Sequence, residues 1–154
     1  YCESGGGGGY AEKYIESPSS TVVVTVGGGG SSVGYYAAAG DGGTSSFGTY
    51  VSASGGYGSN RNQSHSGGHG GVGSGGDINL YGGDGTGHTN SAGHGCIGLG
   101  GGSYWGGSTT INRSTTSTKL HVGSPGAGAP GGRTDDGGAG NVGESGLVVV
   151  YAYK

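Results

Sequence analysis

The chain has 154 residues, 46 of them glycine, a hydrophobic fraction of 29% and a net charge of −3 from six basic and nine acidic residues. That hydrophobic content is too small for an ordinary two-layer apolar core. The scattered Lys13, Arg61, Arg113, Lys119, Arg133 and Lys154 form no cluster that would track phosphates, so nucleic acid is not an expected partner.

Glycine loses more backbone entropy on ordering than any other residue and buries no side chain in return. Order is nonetheless expected, because Thr21-Val22-Val23-Val24-Thr25-Val26 and Leu147-Val148-Val149-Val150-Tyr151-Ala152-Tyr153 are strong strand sequences. Collagen needs glycine at every third position with abundant proline. Here glycine comes in runs, such as Gly5 to Gly9 and Gly27 to Gly30, with three prolines.

In chain order, Tyr1-Cys2-Glu3-Ser4 lacks a signal-peptide pattern and reads as a strand cut mid-course, as in one end of a longer chain. Residues 10–18 read as an irregular strand and turn stopped by Pro18, and residues 21–26 as a strand. Residues 47–53 and 77–81 are short strand candidates. Residues 147–153 are apolar on both faces, which predicts a central strand. No amphipathic helix is expected, and no apolar run approaches the roughly 20 residues of a membrane helix.

Between these lie glycine tracts at residues 67–76, 82–87, 93–102 and 123–143. A polyproline II helix has three residues per turn and no internal hydrogen bonds, so its N–H and C=O groups point sideways. Without Cβ atoms, neighbouring helices approach until those groups pair. The expected fold class is therefore mostly irregular and all-β. It is a glycine-rich sandwich of polyproline II (polyglycine II-like) helices with a few strands and no α-helix, a single domain over residues 1–154. Non-glycine windows become turns at the poles of such a sandwich: residues 60–66, 88–92, 103–105 and 108–122.

The succession Gly5-Gly6-Gly7-Gly8-Gly9-Tyr10-Ala11-Glu12-Lys13, then Thr21 to Val26 with Gly27-Gly28, resembles the glycine-rich C-terminal domain of bacteriophage tail fibres. So do Thr44-Ser45-Ser46-Phe47-Gly48, Val51-Ser52-Ala53-Ser54-Gly55-Gly56, Gly73-Ser74-Gly75-Gly76-Asp77-Ile78-Asn79-Leu80 and the closing Gly146-Leu147-Val148-Val149-Val150. More distantly the chain is similar to the glycine-rich adhesins that cap T-even-type phage fibres. The resemblance implies a virion location at a fibre tip, a bacterial surface receptor and a fibre shaft as partners, and a homotrimer or a monomeric cap. Residues 103–122 are richer in polar and aromatic residues than that domain, and Cys2 and Cys96 depart from it.

No catalytic constellation is found, and neither an enzymatic activity nor a cofactor is expected. Gly68-His69-Gly70-Gly71-Val72-Gly73 and Gly93-His94-Gly95-Cys96-Ile97-Gly98 fit G-x-G-x-x-G, but neither follows a clear strand or opens a helix. Residues 82–87 partly match a calcium-binding nonapeptide without recurring, and the spacing of His65, His69, His88, His94 and His121 matches no metal-ligand pattern. Asp135-Asp136 reads as a solvated turn. Cys2 and Cys96 are candidates for one disulfide closing about 94 residues, worth roughly 4–5 kcal/mol in the chain-entropy model. Two buried free thiols are the alternative.

The eleven tyrosines and one tryptophan are more informative. Tyr10, Tyr14, Tyr50, Tyr151 and Tyr153 lie in or near strands and read as structural cover. Tyr57, Tyr104 and Trp105 adjoin glycines and polar windows, where aromatics serve as anchors. Tyr57, Asn60, Arg61, Asn62, His65, Tyr104, Trp105, Asn112 and Arg113 are the candidate receptor-binding residues. Two other function classes remain: an extracellular ice-binding or structural glycine-rich protein, with Thr109, Thr110, Thr115, Thr116 and Thr118 as an irregular hydroxyl cluster, and a polysaccharide-cleaving spike. The last lacks the paired carboxylates such enzymes use.

Overall fold

Residues 4–9 carry no side chain larger than that of serine, so other stretches of main chain can close on them. The computed structural model describes residues 3–32, 38–59, 66–87, 98–107, 123–131 and 141–153. In it, Ser4 and Gly7 donate their N–H groups to the carbonyls of Thr86 and Gly83. Gly5 and Gly8 donate to Ala129 and Gly126, and Gly6 and Gly9 to Tyr57 and Ser54. Residues three apart thus address the same neighbour, and the partner number falls by three as the donor number rises by three, so these neighbours run antiparallel. Two further neighbours donate inward: Gly68 and Gly71 to the carbonyls of Ser4 and Gly7, in parallel, and Gly101 to Gly5.

The same three-residue step recurs outward. Ala39 and Gly42 donate to Ser59 and Gly56; Gly40 and Gly43 donate to Ser31 and Gly28; Gly143 and Gly146 donate to Gly30 and Gly27. Gly126 donates to Ser145, and Glu144 to Ala127. Segments 4–9, 54–59, 38–43, 27–32, 141–146 and 123–131 therefore form a closed ring, each bonded to the next and the last to the first. Residues of all six line one cavity of about 910 Å³.

The interior is main chain. Gly6, Gly7, Gly8, Gly68, Gly70 and Gly71 are buried. Ala127, at 2% exposure, and Pro130 are the buried apolar side chains among the described residues. A Cβ on Gly6, Gly7 or Gly9 would strike the backbone of His69, Gly102 or Val72.

These pairings fix two poles. Residue 4 marks one and residue 9 the other. Segments 54–59, 82–87 and 123–131 run from the second pole to the first, and 66–72 and 98–103 run back. All six strands lie toward the second, which is called the strand pole below.

No helix occurs among the described residues, and most of the chain is irregular, with two small antiparallel sheets. Strand β1 (Tyr10–Glu12) pairs with β6 (Ile78–Leu80), Tyr10 facing Leu80 and Glu12 facing Ile78. The second sheet is ordered β2 (Val24–Thr25), β3 (Ser45–Phe47), β4 (Val51–Ala53), β5 (Gly73–Ser74). Residues 47–53 are thus not one strand. They end β3, turn through Gly48, whose φ of 54° suits glycine, and form β4. Residues 21–26 contribute only the two residues of β2.

The largest correction is at residues 147–153, which form no strand. Pairing stops where Gly146 donates to Gly27, and Tyr151 and Tyr153 are 75% and 86% exposed. Its apolar content suits a central strand, but the segment instead borders the ring's cavity and pairs with no strand among the described residues. Cys2 and Cys96 lie outside the described residues.

Candidate functional site

The strand pole gathers the aromatic side chains. Segment 98–103 ends in a tight turn in which Ser103 and Gly106 exchange both backbone hydrogen bonds, at 3.1 and 3.2 Å. Tyr104 and Trp105 occupy its tip. The Ser103 hydroxyl donates to the Pro125 carbonyl at 2.7 Å, tying the turn to segment 123–131. The Ser124 side chain leaves little room at the turn's end, where a Cβ on Gly106 would meet it.

The tip packs on Tyr10, where the central segment becomes β1. Tyr10 and Tyr104 stack with centroids 3.7 Å apart and planes inclined by 17°. Trp105 stands edge-on to both, 6.1 Å from Tyr10 and 5.5 Å from Tyr104. Each such pair contributes about 0.5–1.5 kcal/mol beyond area burial. Tyr104 nevertheless remains 55% exposed and Trp105 43%. The three rings stand at the strand-pole end of the 910 Å³ cavity and help to line it.

A carboxylate completes the group. Tyr10 donates its hydroxyl to Glu12 Oε2 at 2.8 Å, since i and i+2 of an extended strand share a face. Burial first, and then the bond to Glu12 and the adjacent Tyr104 hydroxyl, raise the Tyr10 phenol well above the ordinary tyrosine value. Ionising it would set a phenolate against a carboxylate. Beside this, Lys13 lies 3.9 Å from Asp77 and donates to the Gly75 carbonyl at 3.0 Å, while the Tyr14 N–H donates to Asp77 at 2.8 Å. These bonds hold β1 against the β5–β6 turn.

Exposed aromatic faces beside a carboxylate and a hydroxyl are suited to a ligand with apolar C–H faces and hydroxyl edges. Among the described residues no three His, Cys, Asp or Glu side chains converge as metal ligands. Asp84, within the calcium-like stretch, instead accepts the Gly70 N–H at 2.8 Å, with His69 Nδ1 3.6 Å from its other oxygen.

The candidate receptor-binding residues are distributed unevenly. Tyr104 and Trp105 touch each other. Tyr57 sits on segment 54–59, where its carbonyl accepts from Gly6, one three-residue step further from the strand pole than Ser54. Asn60, Arg61, Asn62, His65, Asn112 and Arg113 lie outside the described residues, as does the threonine cluster. Their described flanks separate: Ser59 and Ser66 are at the pole of residue 4, Gly107 and Gly123 at the strand pole. Tyr10 and Glu12 join the site although the sequence reading made Tyr10 structural cover. Their spacing of two in an extended stretch was the available signal.

No helix of the described residues is long and apolar enough to cross a membrane. Comparison with protein-family models, curated proteins and solved structures finds no match to the chain.

Proposed function

We propose that the chain is a non-enzymatic receptor-binding tip of a bacteriophage tail fibre, built as a sandwich of polyglycine II-like rods. Two things support the rod reading: the three-residue step with which each segment addresses its neighbours, and the burial of glycine main chain in place of side chains. A helix of three residues per turn with sideways N–H and C=O groups produces that step. Support for the fibre reading comes from the ordered tail-fibre-like motifs along nearly the whole sequence.

The observation that carries the binding role is the ring cluster of Tyr10, Tyr104 and Trp105 beside Glu12, exposed yet fixed by stacking and by a doubly bonded turn. A site ordered in advance loses little entropy on binding. Its ligand would be a bacterial surface glycan or lipopolysaccharide, or an outer-membrane protein, met during host adsorption. A shaft joined ahead of residue 1 would enter near the pole of residue 4, away from the rings.

The test is binding to an array of bacterial surface polysaccharides and to whole cells, with wild type, Trp105→Ala and Tyr104→Ala compared well below their melting temperatures. Wild type should bind a subset, and both variants should lose that binding while remaining folded. Unchanged binding by both would remove the rings from the site, and no binding to any array member or cell would remove the function.

A further inference from the structure

We infer that the cavity enclosed by the six-segment ring is a binding site for a seventh main-chain strand: a glycine-rich segment of a partner polypeptide running from pole to pole. This rests on the rod reading proposed above.

Six rods in a ring, each hydrogen-bonded to the next, enclose a centre as far from every rod as the rods are from one another. That centre admits one rod of the same girth, one without side chains. All six segments border one cavity, which Tyr10, Tyr104, Trp105 and residues 147–153 also line.

Hydrogen-bonding groups are directed there too. Around segment 4–9, donors and acceptors alternate: N–H to 54–59, C=O from 66–72, N–H to 82–87, C=O from 98–103, N–H to 123–131. The sixth direction faces the cavity and falls to the Gly6 carbonyl, which has no partner among the described residues. In segment 54–59, the N–H groups of Ser54 and Tyr57 go to 66–72, and that of Gly58 goes to the Asp41 carboxylate. The Gly56 N–H, also without a partner among the described residues, is left for the cavity. A donor and an acceptor on adjoining walls match the sideways C=O and N–H groups of a three-residue helix. Glu3 Oε1 and Asn141 Nδ2, a buried acceptor and a buried donor without hydrogen bonds, also line the cavity.

No described segment fills the centre. Successive described segments break and resume at the same pole: Ser32 and Ala38, Ser59 and Ser66, Gly87 and Gly98, and Gly131 and Asn141 at the pole of residue 4, Gly107 and Gly123 at the other. None of these described segments crosses the centre as a single passage from pole to pole. At ~3.1 Å per residue, the six residues of segment 4–9 set a passage of about 19 Å.

Two glycines provide a plug. A Cβ on Gly8 would meet Gly126 at 3.4 Å and the Ser54 carbonyl at 3.6 Å; on Gly5 it would meet Ala129 at 3.4 Å and the Tyr57 carbonyl at 3.7 Å. Both directions fall between segments 123–131 and 54–59, into the cavity, at ordinary contact distances. Gly8→Leu or Gly5→Val should fill the centre and leave the ring intact.

The experiment is fluorescence anisotropy of the full chain with a labelled octaglycine peptide carrying a lysine tail for solubility, and its octa-alanine counterpart as control. The octaglycine peptide should bind, octa-alanine should not, and Gly8→Leu and Gly5→Val should each weaken binding at least tenfold. Amide exchange on the same samples separates the two ideas. Protected amides at residues 4–9 with no octaglycine binding, or with binding unaffected by both plugs, overturn the inference alone; unprotected amides there overturn the rod reading itself. Wild-type self-association that both plugs abolish, without peptide binding, would overturn the partner in favour of a second copy of this chain.

Discussion

Moving one methyl group by one residue along the central segment should change its effect from strongly destabilising to mildly stabilising. In Gly7→Ala the new Cβ would collide with the carbonyl of Gly102 and lie 2.8 Å from that of Gly101. Segment 98–103 cannot retreat without disturbing the bonds of Gly101 to Gly5, at 2.9 Å, and of Gly83 to Gly102, at 2.8 Å. Two lost hydrogen bonds cost about 1 kcal/mol each, and overpacking adds about 1–3 kcal/mol, so the expected loss is roughly 3–5 kcal/mol. In Gly8→Ala the Cβ meets nothing closer than 3.4 Å. The backbone at Gly8 is not left-handed, since positive φ among the described glycines occurs at Gly48, Gly75 and Gly126. Alanine there restricts the unfolded chain at little native cost and should stabilise by about 0.4–1 kcal/mol. At about 2–4 °C per kcal/mol for a chain of this size, the two variants should melt roughly 10 °C or more apart. Differential scanning calorimetry measures this directly. Equal losses at both positions would mean that the segment does not turn by thirds, and the packing argument would fail.

The two tyrosines with displaced titrations make a paired prediction. The Tyr10 phenol is raised, by burial first, so its contribution to stability is complete below the ordinary tyrosine value near 10 and is lost as pH climbs above it. Tyr50 is lowered because its oxygen accepts from the Ser19 side chain and N–H, both at 2.9 Å, so its contribution grows as pH rises through its folded value toward 10. Ultraviolet titration of the folded protein should show Tyr50→Phe removing an early tyrosinate step and Tyr10→Phe a late one; the reverse order would refute the assignment. Ser4 is 1% exposed and donates its hydroxyl to the Thr86 and Leu99 carbonyls. Ser4→Ala should cost about 1–3 kcal/mol in urea unfolding, as expected when buried acceptors lose their donor, and a neutral result would mean water replaces the hydroxyl.

What the sequence made legible was the backbone, and what it concealed was the neighbours. Runs such as Gly5 to Gly9, with no room for a Cβ and no repeat for collagen, already implied main chain packed on main chain. The window at Ile78-Asn79-Leu80 became β6, and no helix appeared among the described residues, because little of the sequence has a helical period. Residues 147–153 misled because strand propensity records a fit to a pleated, half-buried surface, and here the segment borders the cavity with no pairing strand among the described residues. Phe47 and Val51 were merged into one strand because a turn at Gly48 is hard to distinguish among 46 glycines. The site was half visible: Tyr104-Trp105 stood out by composition, whereas Tyr10 is joined to them only by the arrival of segment 98–103 beside the central segment.

The same packing decides where recognition can reside. A side chain large enough to hold a ligand cannot be placed on most central glycines, since even a methyl group there meets a carbonyl. Variable chemistry is confined to the poles, where the chain leaves the lattice and residues regain Cβ atoms. At the strand pole this transition is gentle: Gly9 still donates to Ser54 in the lattice, and the next residue, Tyr10, begins β1. On the proposed rod reading, polyproline II and β backbones share the same broad extended region, so no turn is needed between them. Segment 4–9 therefore delivers the Tyr10 ring directly onto the aromatic tip, with its position set by main-chain bonds. On the proposed reading, receptor preference can change by substitution at residues 104 and 105 without reopening the lattice, whereas the step from Gly9 to Tyr10 is shared by the scaffold and the site and has no such freedom.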